Sequence, residues 1–440
     1  MAGMATKRGG FWQRLGAAAL LSSALSTPVQ AQSADTCRRT GPQAVASYNY
    51  ILGTQAIGGR YRFTKDSPLL EEAEVIRTMG SNLLKLSFAK GAAARYGSVA
   101  AAGKARSTLE YVKAAPEVQR ALDMDFKYYQ AWVHSYTEAN WRDGVTKAEA
   151  RLYYDEMYQL SAWLLARYSG SGKVFMLGNW EGDWLLHGSQ GRDSTPSPVA
   201  IQGMIDWLNI RQKAIDDAKA AVKHRDVGLY HYVEVNLVKK AMAGKPSIAF
   251  SVLPETNVDL VSYSSYEAIK KSQVPDLASI RQPLTEIMQY LEGQLRPKPG
   301  LPFSRRVFIG EYGYHANRAK PETISQQYLK SRYVMQVAIE LDLPFALIWQ
   351  VYNNEYTPDG TSKEMSLIDE SGQKRELYYL NQQYLREMKA FVADSCQRAG
   401  TLPTREAFKG KALEVLESLT FERMQQAALN GGVAAGATRP

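Results

Sequence analysis

Apolar positions along this chain alternate between two rhythms. Short runs rich in β-branched and aromatic residues predict strands over 50–57, 82–88, 126–134, 173–179, 227–236, 258–266, 306–311 and 344–351. Between them the apolar spacing is helical. In 67–79, Leu69, Ala73, Ile76 and Gly80 share one face, behind Ser67 as N-cap and Pro68 at the first helical position. Thr146 and Glu149 have capping-box spacing and open a helix to about Tyr168, which Gly170 and Gly172 stop. Further helices are expected over 107–122, 198–224, 277–295 and 322–341, with 376–393 and 404–428 after the last strand.

Strand followed by helix, repeated eight times, predicts a parallel sheet with helical crossovers. Eight such units close a (β/α)8 TIM barrel, here with an extra C-terminal helix. An open doubly wound sheet is the second architecture, but no GxGxxG follows any of the strands.

Residues 1–31 stand outside this cadence. Lys7, Arg8 and Arg14 precede a short apolar stretch over 15–25, and Val29-Gln30-Ala31 ends it with a small residue, the pattern of a secretory signal peptide. The stretch is shorter than the roughly 18 to 20 residues that span a bilayer, so no stable membrane insertion is expected after cleavage. The expected organisation is therefore a signal over 1–31, a barrel domain over 32–400, and a C-terminal helix with a disordered tail over 401–440, the tail beginning at Gly431. Export, to the periplasm or the extracellular space, makes a disulfide plausible. The two cysteines are Cys37 and Cys396, and their pairing would join the two ends of the folded body; two free thiols are the other state.

Of 440 residues, 45% are apolar and 22% charged, which excludes collagen-like, disordered and disulfide-stapled classes. The net charge of +9 falls to +6 once the signal's three basic residues are removed. The remaining basic residues are spread along the chain rather than clustered with aromatics, so nucleic acid is not the expected partner. The five histidines show no HExxH or comparable spacing, and no metal or organic cofactor is called for.

Catalytic groups in such a barrel lie at the C-terminal ends of the strands. Glu181 and Glu311 stand there, after strands four and seven. Counting back by twos from Glu181 gives Asn179, Leu177 and Phe175, and from Glu311 gives Ile309 and Val307, so each carboxylate is expected on the face that fills the barrel interior. Two carboxylates at an aromatic mouth suit glycoside hydrolysis, one protonating the leaving oxygen and one stabilising or attacking the positively charged sugar. Trp180, Trp184, Tyr312 and Trp349 supply aromatic surface for a sugar's CH face. Glu234 and Asn236, on one face of strand five with Tyr230 and Tyr232, are further pocket candidates. Glu234 is the reserve carboxylate or a buried partner for Lys85, while His231, on the opposite face, reads as a packing residue. Asp183 reads as a loop cap, and His315 as a rim residue.

Glu181 after strand four, Glu311 after strand seven and Trp349 on strand eight resemble the retaining glycoside hydrolases of clan A. The turn over 367–380 (LIDESGQKRELYYL) is similar as well, and the likeness runs over about 48–390. The resemblance implies Glu181 as acid/base, Glu311 as nucleophile, and a tyrosine from 258–266, here Tyr263, in the site. It assigns no single family. Asn179 and Trp180 precede Glu181 where the clan has Asn directly before the acid/base, Lys85 stands where the clan has arginine, and Ser264 stands where some members have histidine. The expected activity is an exported retaining glycosidase acting on a polysaccharide or glycoconjugate. The alternative is a glycan-binding barrel without turnover, serving exopolysaccharide assembly or export.

Overall fold

In the computed structural model, the described residues are Cys37, 41–136, 139–269, 276–317, 319–320 and 322–436. The expected signal over 1–31 lies outside them. Eight strands form one sheet: β1 (Leu52–Thr54), β2 (Leu83–Ser87), β3 (Tyr128–Trp132), β4 (Val174–Gly178), β5 (Gly228–Val235), β6 (Leu260–Ser264), β7 (Val307–Tyr312) and β8 (Ala346–Ile348). Their order is β1-β8-β7-β6-β5-β4-β3-β2, and the neighbours pair in parallel. The remaining edge closes through a parallel bridge between Gln55 and Lys85, beside which the Ala56 N–H donates to the Lys85 carbonyl at 2.8 Å. The result is the expected (β/α)8 barrel, with Lys85 on its seam.

Most strands are shorter than their apolar runs. At β1 the cause is local: Ile51 has φ of 68°, a conformation disfavoured for a β-branched residue, and its N–H is taken by the Asn49 side chain at 2.8 Å. Regular pairing begins only at Leu52.

The outer layer contains α1 (Pro68–Met79), α2 (Thr108–Ala114), α3 (Pro116–Asp123), α4 (Lys147–Arg167), α5 (Gly182–His187), α6 (Pro198–Ala221), α7 (Leu277–Gln294), α8 (Glu322–Glu340) and α9 (Glu376–Ala399). Ser67 caps α1, and the reciprocal Thr146–Glu149 capping box opens α4. The single helix expected over 107–122 is two. Pro116 supplies no N–H and disfavours helical backbone at Ala115, so α2 ends and α3 starts with the proline in its first turn. The C-terminal helix expected over 404–428 is likewise two, α10 (Arg405–Ser418) and α11 (Phe421–Gly436), interrupted at Leu419 and Thr420. The tail expected from Gly431 lies, beyond Gly436, outside the described residues.

Apolar side chains form two layers. Met176, Tyr232, Leu260, Phe308, Phe345 and Leu347 fill the barrel interior. A larger layer between strands and helices holds Leu177, Val233, Val261, Val307 and Ile309. No helix among the described residues is long and apolar enough to cross a membrane.

Cys37 and Cys396 form a disulfide with Cα atoms 5.2 Å apart across 359 residues of sequence. By the chain-entropy argument a bridge over so long a loop stabilises mainly by restricting the unfolded chain. The Cys37→Ser/Cys396→Ser double variant is expected to lose about 5 kcal/mol in denaturant unfolding, the upper end for a disulfide. A midpoint equal to the oxidised wild type's would refute that account.

Candidate active site

A cavity of about 1060 Å³ opens where the strands end, and Glu181 and Glu311 both line it. Neither carboxylate arrives there by strand alternation, as the sequence suggested. Residues Val307 and Ile309 face the helices, and the interior residue of β7 is Phe308. Pairing then slips: Tyr263 faces Ile309 but Ser264 faces Glu311, and on the other side Ala346 faces Ile309 but Ile348 faces Tyr312. One extra residue in β7, a bulge at Gly310, reverses the parity and turns Glu311 inward. The bulge needs glycine, because a Cβ at Gly310 would lie 1.8 Å from the Ser262 hydroxyl.

Residue Glu181 lies beyond the strand altogether. In β4 Met176 faces the interior while Phe175 and Leu177 face the helices. After Gly178 the chain turns, and Glu181 becomes the residue before α5. That turn is tight: a Cβ at Gly178 would overlap the Tyr232 ring at 2.4 Å, and one at Gly182 would meet Ile248 at 2.5 Å. Loop anchorage comes from Asp183, which accepts the N–H groups of Asn236 (2.9 Å), Leu237 (3.0 Å) and Ile248 (2.8 Å), as a loop cap should.

A buried charged hub lies behind the cavity wall. The Lys85 ammonium donates to Glu234 Oε2 at 3.1 Å, to the Gly310 carbonyl at 3.0 Å and to Glu311 Oε1 at 3.4 Å. Fully buried Glu234 also accepts the Ser262 hydroxyl at 2.8 Å and the Glu181 backbone N–H at 3.0 Å. One carboxylate therefore fixes the backbone of Glu181 and, through Lys85, the side chain of Glu311. This is the ion-pair role that the sequence left open for Glu234, and Glu234 does not line the cavity.

The two cavity carboxylates have different surroundings. The indole N–H of Trp184 donates to Glu181 Oε2 at 2.8 Å. Burial, and then the negative charge of Glu234, push the Glu181 carboxyl up to about 7 despite that bond. At Glu311 burial outweighs the Lys85 ammonium, the main influence pulling the other way, and holds the carboxyl well above the usual carboxylate range. The Tyr266 hydroxyl, held neutral by burial, donates to Glu311 Oε2 at 3.3 Å.

Trp180, Trp184, Asn236 and Trp349 line the cavity with the two carboxylates, and His315 lines it as well. Lys85 is fully buried behind it. Three expected residues are elsewhere. Tyr263 and Tyr312 are fully buried in the layer facing the helices, because alternation in β6 and the slip in β7 point them outward. Asn179 is fully buried, its amide donating to the Trp180 carbonyl at 3.2 Å, so its side chain does not reach the cavity. The tyrosine that β6 brings to the site is Tyr266, two positions past the end of the strand on the face of Leu260, Ser262 and Ser264. Reading outward by twos from Leu260 would have found it.

The sequence reading also missed Trp132 and His134. Both line the cavity at the end of the third expected strand, and Trp132 alternates with Tyr128 and Gln130. The Trp132 ring lies 4.6 Å from the Lys85 ammonium and 6.2 Å from the ring of Trp349. Burial lowers His134 to about 4, leaving a neutral imidazole whose Nε2 accepts the Trp180 N–H at 3.4 Å. His231 is buried on β5, as a packing residue should be. No group of His, Cys, Asp and Glu side chains among the described residues has the arrangement of a metal site.

No family model matches the chain. No curated protein matches it. Among solved structures, a GH5_18 protein from Streptomyces cattleya in complex with Manb1-4GlcNAc is 10% identical, with a TM-score of 0.51 over 86% of this chain and 92% of its own. An exo-beta-1,4-mannosidase from Opitutaceae bacterium strain TAV5 is 10% identical, with a TM-score of 0.49 over 78% of this chain and 60% of its own. Bacteroides uniformis beta-glucuronidase 2, covalently bound to cyclophellitol-6-carboxylate aziridine, is 10% identical, with a TM-score of 0.47 over 78% of this chain. The match spans 35% of that glucuronidase's length. The first of these likenesses shows the fold, a parallel eight-stranded barrel ringed by helices.

Proposed function

We propose that the protein is an exported glycoside hydrolase that cleaves O-glycosidic bonds of a polysaccharide or glycoconjugate with retention of configuration. The observation that carries this reading is the pair of carboxylates that line one cavity, each with its own hydrogen-bond partners. Glu181 is raised to about 7 and Glu311 is held against a lysine. A carboxyl that keeps its proton near neutrality suits an acid, and one beside a buried ammonium suits an anionic nucleophile. The Cys37–Cys396 disulfide supports export, because such bonds persist in oxidising compartments.

In this mechanism the Glu181 carboxyl protonates the glycosidic oxygen while Glu311 attacks the anomeric carbon. The leaving chain departs as an alcohol and a glycosyl ester forms on Glu311. Glu181, now a carboxylate, removes a proton from water as that water attacks the anomeric carbon. The ester bond breaks, Glu311 is released as a carboxylate, and Glu181 regains its proton. Lys85 and Tyr266 hold the nucleophile's two oxygens, and Trp184 orients the acid. Trp132, Trp180 and Trp349 offer faces on which sugar rings stack.

Because the first step needs Glu181 protonated, its acid form is present below about 7 and is lost as pH rises. The kcat/KM of wild type is expected to fall through that range. Glu181→Gln is expected to flatten this limb and to cost about 10²–10⁴-fold on polysaccharide. The cost should be far smaller on aryl glycosides whose leaving phenols need no proton. A panel of polysaccharides and aryl glycosides, assayed over pH, measures this. Turnover that survives both Glu181→Gln and Glu311→Gln would overturn the reading, and binding without wild-type turnover would favour a glycan-binding barrel.

A further inference from the structure

Five basic side chains line the cavity against four carboxylates, and two of those four are Glu181 and Glu311. The other two are already engaged: Glu355 pairs with Lys363 at 3.0 Å, and Glu267 accepts the Lys239 N–H at 2.9 Å. That leaves Arg60, Arg95, Arg192 and Lys330 on the wall. None of their charged groups has a hydrogen-bond or ion-pair partner among the described residues.

Three of these cations are held by aromatic rings instead. Arg192 lies 5.7 Å over Trp184, Arg60 lies 4.5 Å over Tyr356, and Lys330 lies 5.3 Å over Tyr314. A guanidinium resting on a ring keeps its in-plane N–H fork free, the geometry that takes an anionic oxygen pair. Trp184, beneath Arg192, is also the residue that donates to Glu181, so one free cation stands a single ring away from the proposed acid. Arg60 and Arg95 follow β1 and β2, the strands joined by the Gln55–Lys85 bridge, and Arg95 packs on the segment after β1, where a Cβ at Gly58 would lie 2.5 Å from its own. These cations come from the chain after β1, after β2, after β4 and from α8 after β7, so they surround the mouth rather than form one exterior patch.

We infer that the glycan taken by this cavity is acidic, its sugars bearing carboxylate or sulfate groups that pair with Arg192 on one side and with Arg60 and Arg95 on another. This inference rests on the hydrolase reading for its site but not for its chemistry. A neutral chain would leave these four cations, of which Arg60, Arg95 and Arg192 are exposed, without an anionic partner in the cavity. An acidic chain pairs them with charge-assisted hydrogen bonds.

The test separates the two ideas. Binding is measured calorimetrically with the Glu181→Gln/Glu311→Gln double variant, which prevents turnover. The probes are oligogalacturonate and hyaluronan oligomers for carboxylate, a carrageenan oligomer for sulfate, the carboxyl-reduced and desulfated counterparts, and a single-stranded oligonucleotide. At least one acidic chain is expected to bind about tenfold or more tighter than its neutral counterpart, with the advantage shrinking between about 0.05 and 0.5 M NaCl. Adding Arg60→Gln and Arg192→Gln should remove the advantage while leaving the neutral counterpart's affinity in place, with circular dichroism confirming the fold. Equal affinity for acidic and neutral chains, no binding of any acidic chain, or preference for the oligonucleotide overturns the inference. Tight acidic binding without wild-type turnover of any chain upholds it and removes the hydrolase instead. Turnover of neutral chains with no gain from acidic groups does the reverse.

Discussion

Replacing Glu311 by glutamine is expected to lower kcat/KM by at least about 10⁴-fold on every substrate, good or poor leaving group alike. The side chain keeps its volume and its place at the bulge, so contacts with Lys85 and Tyr266 change in charge more than in position. Only the ability to form a bond at the anomeric carbon is lost. This is what separates the proposed nucleophile from the proposed acid. Loss of Glu181 should be forgiven by a leaving group that departs without a proton, and loss of Glu311 should not. A smaller residue sharpens the test. Glu311→Ala supplied with azide should release a glycosyl azide of inverted configuration, because the anion attacks from the vacated side. Loss of less than about tenfold in Glu311→Gln would remove Glu311 from the nucleophile's role.

Lys85→Met should be the most damaging single change for fold and site together. It leaves the buried Glu234 and Glu311 carboxylates without their shared cation, and breaking a buried pair by removing one partner costs about 3–5 kcal/mol. Burial already pushes the Glu311 carboxyl up, and loss of the Lys85 charge should push it further. A protonated Glu311 cannot attack. The expected signature is a lower unfolding midpoint with the acid limb of the kcat/KM profile moved toward higher pH by about 1–3 units. A variant that is less stable but keeps the wild-type acid limb would assign Lys85 a purely structural role. Lys85→Arg is not a conservative control, because a planar fork cannot direct one donor to each of three oxygens as an ammonium does.

The barrel was legible because its signal is redundant: eight short apolar runs separated by helical spacing survive an error in any one of them. Local chemistry was legible where one residue type has one strong role, as with Ser67, the Thr146–Glu149 box and the pair of cysteines. Alternation failed where the backbone departs from two residues per repeat. The bulge at Gly310 reversed the parity of β7, so Glu311 faces the cavity although Ile309 and Val307 face the helices. The same slip sent Tyr312 outward, and the strand-six tyrosine in the site is Tyr266 rather than Tyr263. Glycine was the available signal. Gly178, Gly182 and Gly310 all mark places where a side chain would collide with a neighbouring element, and each lies within three residues of a cavity carboxylate. The pairing of Lys85 with Glu234, one of the two roles the sequence left open for Glu234, joins β2 to β5 across the barrel interior and is decided by closure of the sheet, which no local pattern encodes.

The disulfide changes what kind of object the chain is. With Cys37 joined to Cys396, everything from the segment before β1 to the end of α9 is a covalent ring, and the eight strand-helix units have no free end within it. A single cut in any surface loop of that ring opens it without dividing it. Both segments stay attached through the sulfur bridge, and β1 and β8 stay neighbours. That topology turns a first nick into a local opening rather than the loss of half a barrel.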